Sequence, residues 1–451
     1  MGAFFGFFRR GSSVEVTLFE ELNWEELERE YQSCCEVHSA HLSAGDGSWA
    51  DELARLWISM LEYIYKTKKV PDELINRDIV ALQAHTLMRP IERIFQGVEF
   101  DSPDYVLREI LKQNMWDFSV AKNYNDVVAI NNLLLKENGS FRPWHDFKHE
   151  AQKVVGRSIR YLKTEHNTVV AGAQMSGKWQ EIQRDKHLFP FVQFKVIVDG
   201  HTSDVCKPLH DVIVSVDDPM LMYYFPPNHF NCRTTVMRLR RATPTAKYDL
   251  PKIPEAFKNN PAISGKIFTD KHKYFLNTPQ EVMKFADVLQ KADLLSKPRS
   301  EQFKKLFETE NGGQVLEHLL LRKGKDYESI LASAKEFAKQ GKIAEILPEL
   351  NQKELKKFRD VVFPNYDLNK NPDLRVNGIY HDVKEVEQLY NFIKNANRAA
   401  KQGAIPIIRF DGISDFNLIQ KQVVSIFNDK NYPYNVVYLL HKGKLYRYNK
   451  G

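Results

Sequence analysis

Apolar residues recur every three or four positions through most of the first 165 residues, and that texture stops abruptly afterwards. The stretches "NWEELEREYQSCCEVHSAHL", "SWADELARLWISMLEYIYKT" and "PDYVLREILKQNMWDFSVAKNYNDVVAINNLLLKE" show helical spacing with polar breaks between them. A further run, "WHDFKHEAQKVVGRSIRYLKTEHNTVVAGAQMSGKWQEIQRDK", predicts two helices meeting near Glu165 to Asn167, where the polar residues cluster. Then "FPFVQFKVIVDGHTSD" alternates and is rich in Phe and Val, which predicts a strand ending in a turn. A turn-rich stretch follows and closes on "RTTVMRLRR".

The pattern divides the chain into five parts. Residues 1–163 read as a helical region and 164–245 as a small α+β module. Residues 246–299, with "TPTAKYDLPKIPEAFKNNP" leading in, read as an extended linker. Residues 300–360 read as a charged helical segment, and 361–451 as a compact α/β domain. No internal repeat stands out. The fold class expected is a mainly α N-terminal region, then the α+β module, then a C-terminal α/β domain of order ββαβαββ.

Composition changes this picture little. The 451 residues are 43% hydrophobic and 27% charged, as in ordinary globular protein. No segment reaches the roughly 18 uninterrupted apolar residues of a membrane span. The opening "MGAFFGFFRRGSS" is too short in apolar residues for a signal peptide, and its basic pair lies on the wrong side. It reads as an uncleaved arm. Charge is uneven: residues 361–451 hold 13 Lys and Arg against 8 Asp and Glu, which is +5 of the chain's +6. That sign suits a nucleic-acid-facing module, although a solvated surface has it too.

Four cysteines argue against a disulfide scaffold and for a reducing compartment. Cys34 and Cys35 sit in a helical pattern and read as packing residues. The other two join the stretch "YYFPPNHFNCRTTV". Cys206, His210, His229 and Cys232 form two short pairs separated by a loop, the arrangement of a structural zinc site. The alternative is a packed turn in which Cys232 is a small buried hydrophobe. His145 and His149 lie four apart in "WHDFKHE", but Asp146 replaces the expected glutamate and no third ligand follows, so an exposed helical face is expected there.

The order "TEHNTVVAGAQMSGKWQEIQRD", "VIVDGHTSDVCKPLHD", "VDDPMLMYYFPPNHFNCRTTV" resembles the phage head morphogenesis family typified by phage Mu F-like minor head proteins. The matching positions are Asp199, Thr202, Ser203, Cys206, Asp218, Pro219, Pro226, Pro227, His229, Cys232 and Arg233, across about 164–239. The resemblance implies a virion protein at the portal and inner capsid, with portal and capsid proteins as partners, acting in DNA packaging or delivery.

The second stretch with chemistry is "NPDLRVNGIYHDVKEV". Asn377-Gly378 between alternating apolar residues predicts a two-residue type I′ hairpin. The register then pairs Val376 with Ile379, Arg375 with Tyr380, Leu374 with His381, and Asp373 with Asp382. Leu374, Val376, Ile379 and Val383 share one face; Asp373, Arg375, Tyr380, Asp382 and Lys384 share the other. Two opposed carboxylates repel unless a proton or cation intervenes. Mg²⁺ held by both would relieve this, with Lys384 orienting water or neutralising a phosphate. The alternative is a solvated hairpin face. Asp373, Asp382 and Lys384 are therefore the catalytic candidates, in the pattern of PD-(D/E)xK nucleases. The elements after the hairpin resemble the small nuclease toxins of contact-dependent inhibition and other polymorphic toxin systems, many of them tRNA nucleases. That resemblance implies RNA or packaged DNA as ligand, with Arg375 and Arg409 as nucleic-acid contacts. It also implies an immunity protein as partner and action in the bacterial host cytoplasm. A metal-free variant of the chemistry would use Lys384 with Asp382, His381, Tyr380 or Arg409.

Overall fold

The computed structural model describes residues 22–32, 47–71, 73–100, 102–366, 369–412 and 415–451. The opening arm, Cys34 and Cys35 lie outside the described residues. The chain forms two compact units, Met1–Leu289 and Gln290–Gly451.

Among the described residues, the first unit begins with five helices: α1 (Trp24–Gln32), α2 (Gly47–Thr67), α3 (Arg77–Ile94), α4 (Pro103–Asn132) and α5 (Trp144–Asp185). Side-chain caps set their starts. Asn76 accepts from the amides of Asp78 and Ile79, and Ser102 from that of Tyr105 with Pro103 in the first turn. Every residue from Phe118 to Asn131 is buried, so α4 is the central helix, enclosed on all sides. The break predicted near Glu165 does not exist, because α5 runs unbroken for 42 residues. Glu165 is not a surface breaker. It is fully buried and accepts from Tyr31 Oη at 2.6 Å and Lys122 Nζ at 3.1 Å.

The C-terminal half of α5 carries the small module. Strands β1 (Phe191–Lys195), β2 (Ile213–Ser215) and β3 (Thr235–Leu239) form an antiparallel sheet of order β2-β1-β3. Its buried residues Val192, Phe194, Val214 and Val236 share a core with Trp179 and Ile182 of α5.

Residues 246–299 are not an extended linker. They form a 3₁₀ turn at Glu255–Phe257, short helices α6 (Pro261–Ser264) and α7 (Lys273–Leu276), and α8 (Gln280–Ser296). Phe257, Ile267, Phe268 and Tyr274 are buried in the helical core. Asn114 of α4 accepts from the amides of Ile267 and Phe268 and donates to the Phe268 carbonyl, which satisfies irregular backbone inside that core.

Residues 300–360 are also not simply helical. After α9 (Arg299–Gln302) come β4 (Phe303–Glu308), β5 (Gln314–His318), α10 (Tyr327–Lys339), β6 (Ile343–Ile346) and, past a 3₁₀ turn, α11 (Arg359–Val362). Lys304, Lys305 and Glu308 lie on β4, an edge strand of the sheet, where charge blocks further pairing. The order expected for the tail is present as β7 (Leu374–Val376), β8 (Ile379–Glu385), α12 (Phe392–Lys401), β9 (Ile405–Arg409), α13 (Phe416–Ser425), β10 (Val436–His441) and β11 (Lys444–Asn449).

All eight strands make one mixed sheet in the order β11-β10-β9-β8-β7-β6-β5-β4. Strands β5/β6, β8/β9 and β9/β10 are parallel and the remaining neighbours antiparallel. Helix α10 covers one face through Ala334 and Phe337, packed with Ala344, Leu374, Val383 and Ile407. Helices α12 and α13 cover the other through Phe392, Ile419 and Val423, packed with Ile408, Val437 and Leu439.

Candidate functional site

Cys206 ends a tight turn whose amide donates to the Ser203 carbonyl, and it leads into a 3₁₀ turn at Lys207–Leu209. His229 and Cys232 come from the segment between the Pro226-Pro227 pair and β3. Cys206, His229 and Cys232 are all buried, and their ligand atoms lie within 4.8 Å of one another. The two sulfurs are 3.6 Å apart. A disulfide would need roughly 2.05 Å. A tetrahedral zinc with Zn–S bonds of about 2.3 Å holds two sulfurs roughly 3.8 Å apart, so the spacing fits the ion.

His229 Nδ1 lies 2.7 Å from the Phe230 carbonyl, so it carries the proton and leaves Nε2 as the ligating nitrogen. The thiols share their proton unequally. Cys232 is pulled well below the ordinary thiol value, chiefly by its hydrogen bond with Cys206 and further by His229, against the effect of burial. Cys206 is pushed up by the same bond and by burial. A thiolate beside an imidazole is the donor set zinc takes.

His210 is not part of this cluster. Its ring is half-exposed, 3.5 Å from Asp211, and lines a separate surface cavity with Pro208, Thr245 and Tyr248. The C-x3-H spacing misled because the 3₁₀ turn at Lys207–Leu209 places His210 beyond the turn that presents Cys206. Other positions that carried the resemblance build the frame of the site. Asp199 receives two 2.7 Å bonds from the Arg233 guanidinium, which hold its carboxyl far below the usual range. Asp218 caps the 3₁₀ turn at Pro219–Met222 through the Met220 amide. His145 and His149 are exposed on α5, as expected.

The second candidate lies on the β7–β8 hairpin. Asn377 and Gly378 have φ of 46° and 87°, the type I′ signature. The pairs Leu374↔His381, Arg375↔Tyr380 and Val376↔Ile379 follow the expected register. Just beyond them the Asp373 amide donates to the His381 carbonyl at 3.2 Å, so Asp373 neighbours Asp382 without forming a regular cross-strand pair with it. Asp373 Oδ2 accepts from the Val383 amide at 2.7 Å. Asp382 is 1% exposed, and its Oδ2 lies 2.5 Å from Lys384 Nζ. That oxygen makes no well-directed hydrogen bond, so the close ion pair is what balances its charge. Burial first, then the neighbouring Asp382 charge, pushes the Asp373 carboxyl well above its ordinary value.

The remaining tail residues separate from this pair. His381 faces the apolar side against Phe337 and Tyr438, and burial lowers its pKa to about 4. Ile379, on that same side, is 54% exposed because it sits at the hairpin end. Arg375 pairs with Glu345 of β6 at 3.2 Å. Arg409 is bound by Glu385 at 2.7 Å and Asp411 at 2.8 Å, and it also donates to Ser329 of α10. It therefore lies on the opposite face of the sheet from Lys384. Tyr366 went unnoticed in the sequence. Its ring lies tilted against that of Tyr380 at 4.6 Å, and burial, followed by the Asp382 charge, raises its hydroxyl well above the ordinary value. No spacing rule links Tyr366 to a hairpin whose first strand starts at Leu374.

Residues 142–237 match the family model described as "Phage Mu protein F like protein". A curated relative, "Putative capsid assembly protein F" of Escherichia phage Mu, is 29% identical over 97 residues. The match covers 22% of this chain and 22% of the relative, so the chain spans about a fifth of the length of the protein it matches. No solved structure matches. Among the described residues, no helix is long and apolar enough to cross a membrane.

Proposed function

We propose that this chain is a phage minor head protein, associated with portal and capsid proteins in the virion, that acts in head morphogenesis or DNA packaging and delivery. The observation that carries this reading is that the matched segment contains the whole built turn: Cys206, His229, Cys232 and the Asp199–Arg233 clamp all lie within 142–237. Zinc is the ion this turn suits: two sulfurs and one imidazole supply three of its four ligands and leave the fourth position to water, and the burial of all three beside the Asp199–Arg233 clamp favours a structural role. Protein purified without chelators should contain about one zinc per chain. A metal-free preparation with unchanged thermal stability would reject that part of the reading.

The second unit is, on this reading, a ribonuclease-like module delivered with the head protein. Its support is the neighbouring Asp373 and Asp382, with Lys384 against Asp382. Mg²⁺ held by these carboxylates would supply positive charge to a phosphodiester oxygen. Asp382 and Asp373 hold position through Lys384 and the Val383 amide, and Lys384 supplies a cation beside the pair. The full chain incubated with tRNA and Mg²⁺ should cleave it, and Asp382→Asn and Lys384→Ala should each lower the rate by about 10²-fold or more. Equal cleavage by all three proteins, or none by any, rejects the module as a nuclease.

A second reading, a non-catalytic binding module in a structural virion protein, is favoured by one fact. Asp382 is almost wholly buried, and both Arg375 and Arg409 are already engaged by carboxylates.

A further inference from the structure

The turn that holds the Cys–His cluster also reaches out of its own module. Cys206 and Cys232 belong to the core of the small sheet, whereas Phe230, between His229 and Cys232, belongs to the helical core. Its ring lies 3.9 Å from that of Tyr31, which stacks on its far side against Tyr161 at 4.0 Å. Tyr31, like Leu27, is a buried anchor of α1. Its hydroxyl completes the buried network of Glu165 and Lys122. The neighbouring amide of Asn231 donates to Thr168 Oγ1 at 3.0 Å, one turn along α5 from Glu165. One short turn thus fixes a cluster of ligands on one side and an aromatic sandwich on the other.

We infer that metal occupancy of the Cys206–His229–Cys232 cluster is coupled to docking of helix α1 through Phe230, so that the ion latches α1 onto the helical core. The inference rests on the zinc reading given above. An ion bound by His229 and Cys232 fixes both flanks of Phe230, which keeps its ring beneath Tyr31. Loss of the ion frees the turn, lets the ring leave the sandwich, and removes the stacking partner that orients the Tyr31 hydroxyl at Glu165. The coupling is reciprocal, so weakening the sandwich lowers zinc affinity in turn.

Hydrogen exchange on the full chain tests this, read peptide by peptide with zinc bound, after chelation, and after zinc is restored. Zinc-bound protein should protect the amides of α1. Chelation should speed their exchange by about tenfold or more while the centre of α4 stays protected, and added zinc should reverse the change. Phe230→Ala should expose α1 with stoichiometric zinc still bound but more weakly held, and Phe230→Leu should restore part of the protection. Stoichiometric zinc whose removal leaves α1 exchange unchanged overturns the latch and spares the zinc site. Protein that takes up no zinc overturns both. Uniform loss of protection, α4 included, overturns the latch in favour of a general stabilising role for the ion.

Discussion

Asp373 embodies a conflict that a stability measurement can read. Its carboxyl is raised well above the ordinary 3.8 by burial and by Asp382, so the folded chain holds a proton that the unfolded chain would release. Stability from this site is therefore full below about pH 4 and is lost as pH climbs through the raised value. Asp373→Asn should flatten that decline and stabilise the second unit at pH 8, seen as a higher melting temperature than wild type there but not at pH 4. A divalent ion that prefers the charged pair should narrow the same gap. In the first unit, Lys122 is wholly buried against Glu165 and Tyr274. Lys122→Met leaves a carboxylate with one fewer partner, and urea unfolding should show a loss of about 3–5 kcal/mol. Tyr31→Phe, which deletes a single donor, should cost about 1–2 kcal/mol.

At the scale of elements, the hairpin shows what sequence reveals well. Asn377-Gly378 demands positive φ at both positions, so one dipeptide sets the register of the three pairs from Val376↔Ile379 to Leu374↔His381. The Asn377 side chain also accepts from the Ile343 amide at 2.9 Å, which ties the turn to β6. Asn377→Ala should cost about 1–2 kcal/mol and loosen the alignment of the acids without touching them. Denaturation midpoints and the tRNA assay together check this. Helix ends are similarly legible: "AKQG" occurs at 338–341 and at 400–403, and both glycines take positive φ and turn a helix into a strand. The two helices then cover opposite faces of the sheet, so the likeness is one of local capping and not of a repeated unit. Long-range burial is what periodicity misses. Glu165 looked like a breaker, 246–299 looked like a tether, and 300–360 looked helical where β4, β5 and β6 form. For the first two the deciding partner lies far along the chain, Tyr31 and Asn114, whereas β4 pairs with its immediate neighbour β5. His210 failed for the converse reason, because spacing ignores the direction in which a turn presents a side chain.

For the whole molecule, two compact units with separate cores predict separate melting. Calorimetry of the full chain should resolve two transitions. Chelation should lower only the one belonging to the unit with the Cys–His turn, and raising pH from 5 to 8 should mainly lower the other. The continuous sheet carries one further consequence, for anyone who cuts this protein. A fragment begun at residue 361 would keep the paired acids yet discard β4, β5, β6 and α10, stripping β7 of its neighbour and uncovering Leu374, Val376 and Val383. Such a piece should precipitate, and its silence in any assay would say nothing about chemistry; a sound excision starts upstream of Arg299.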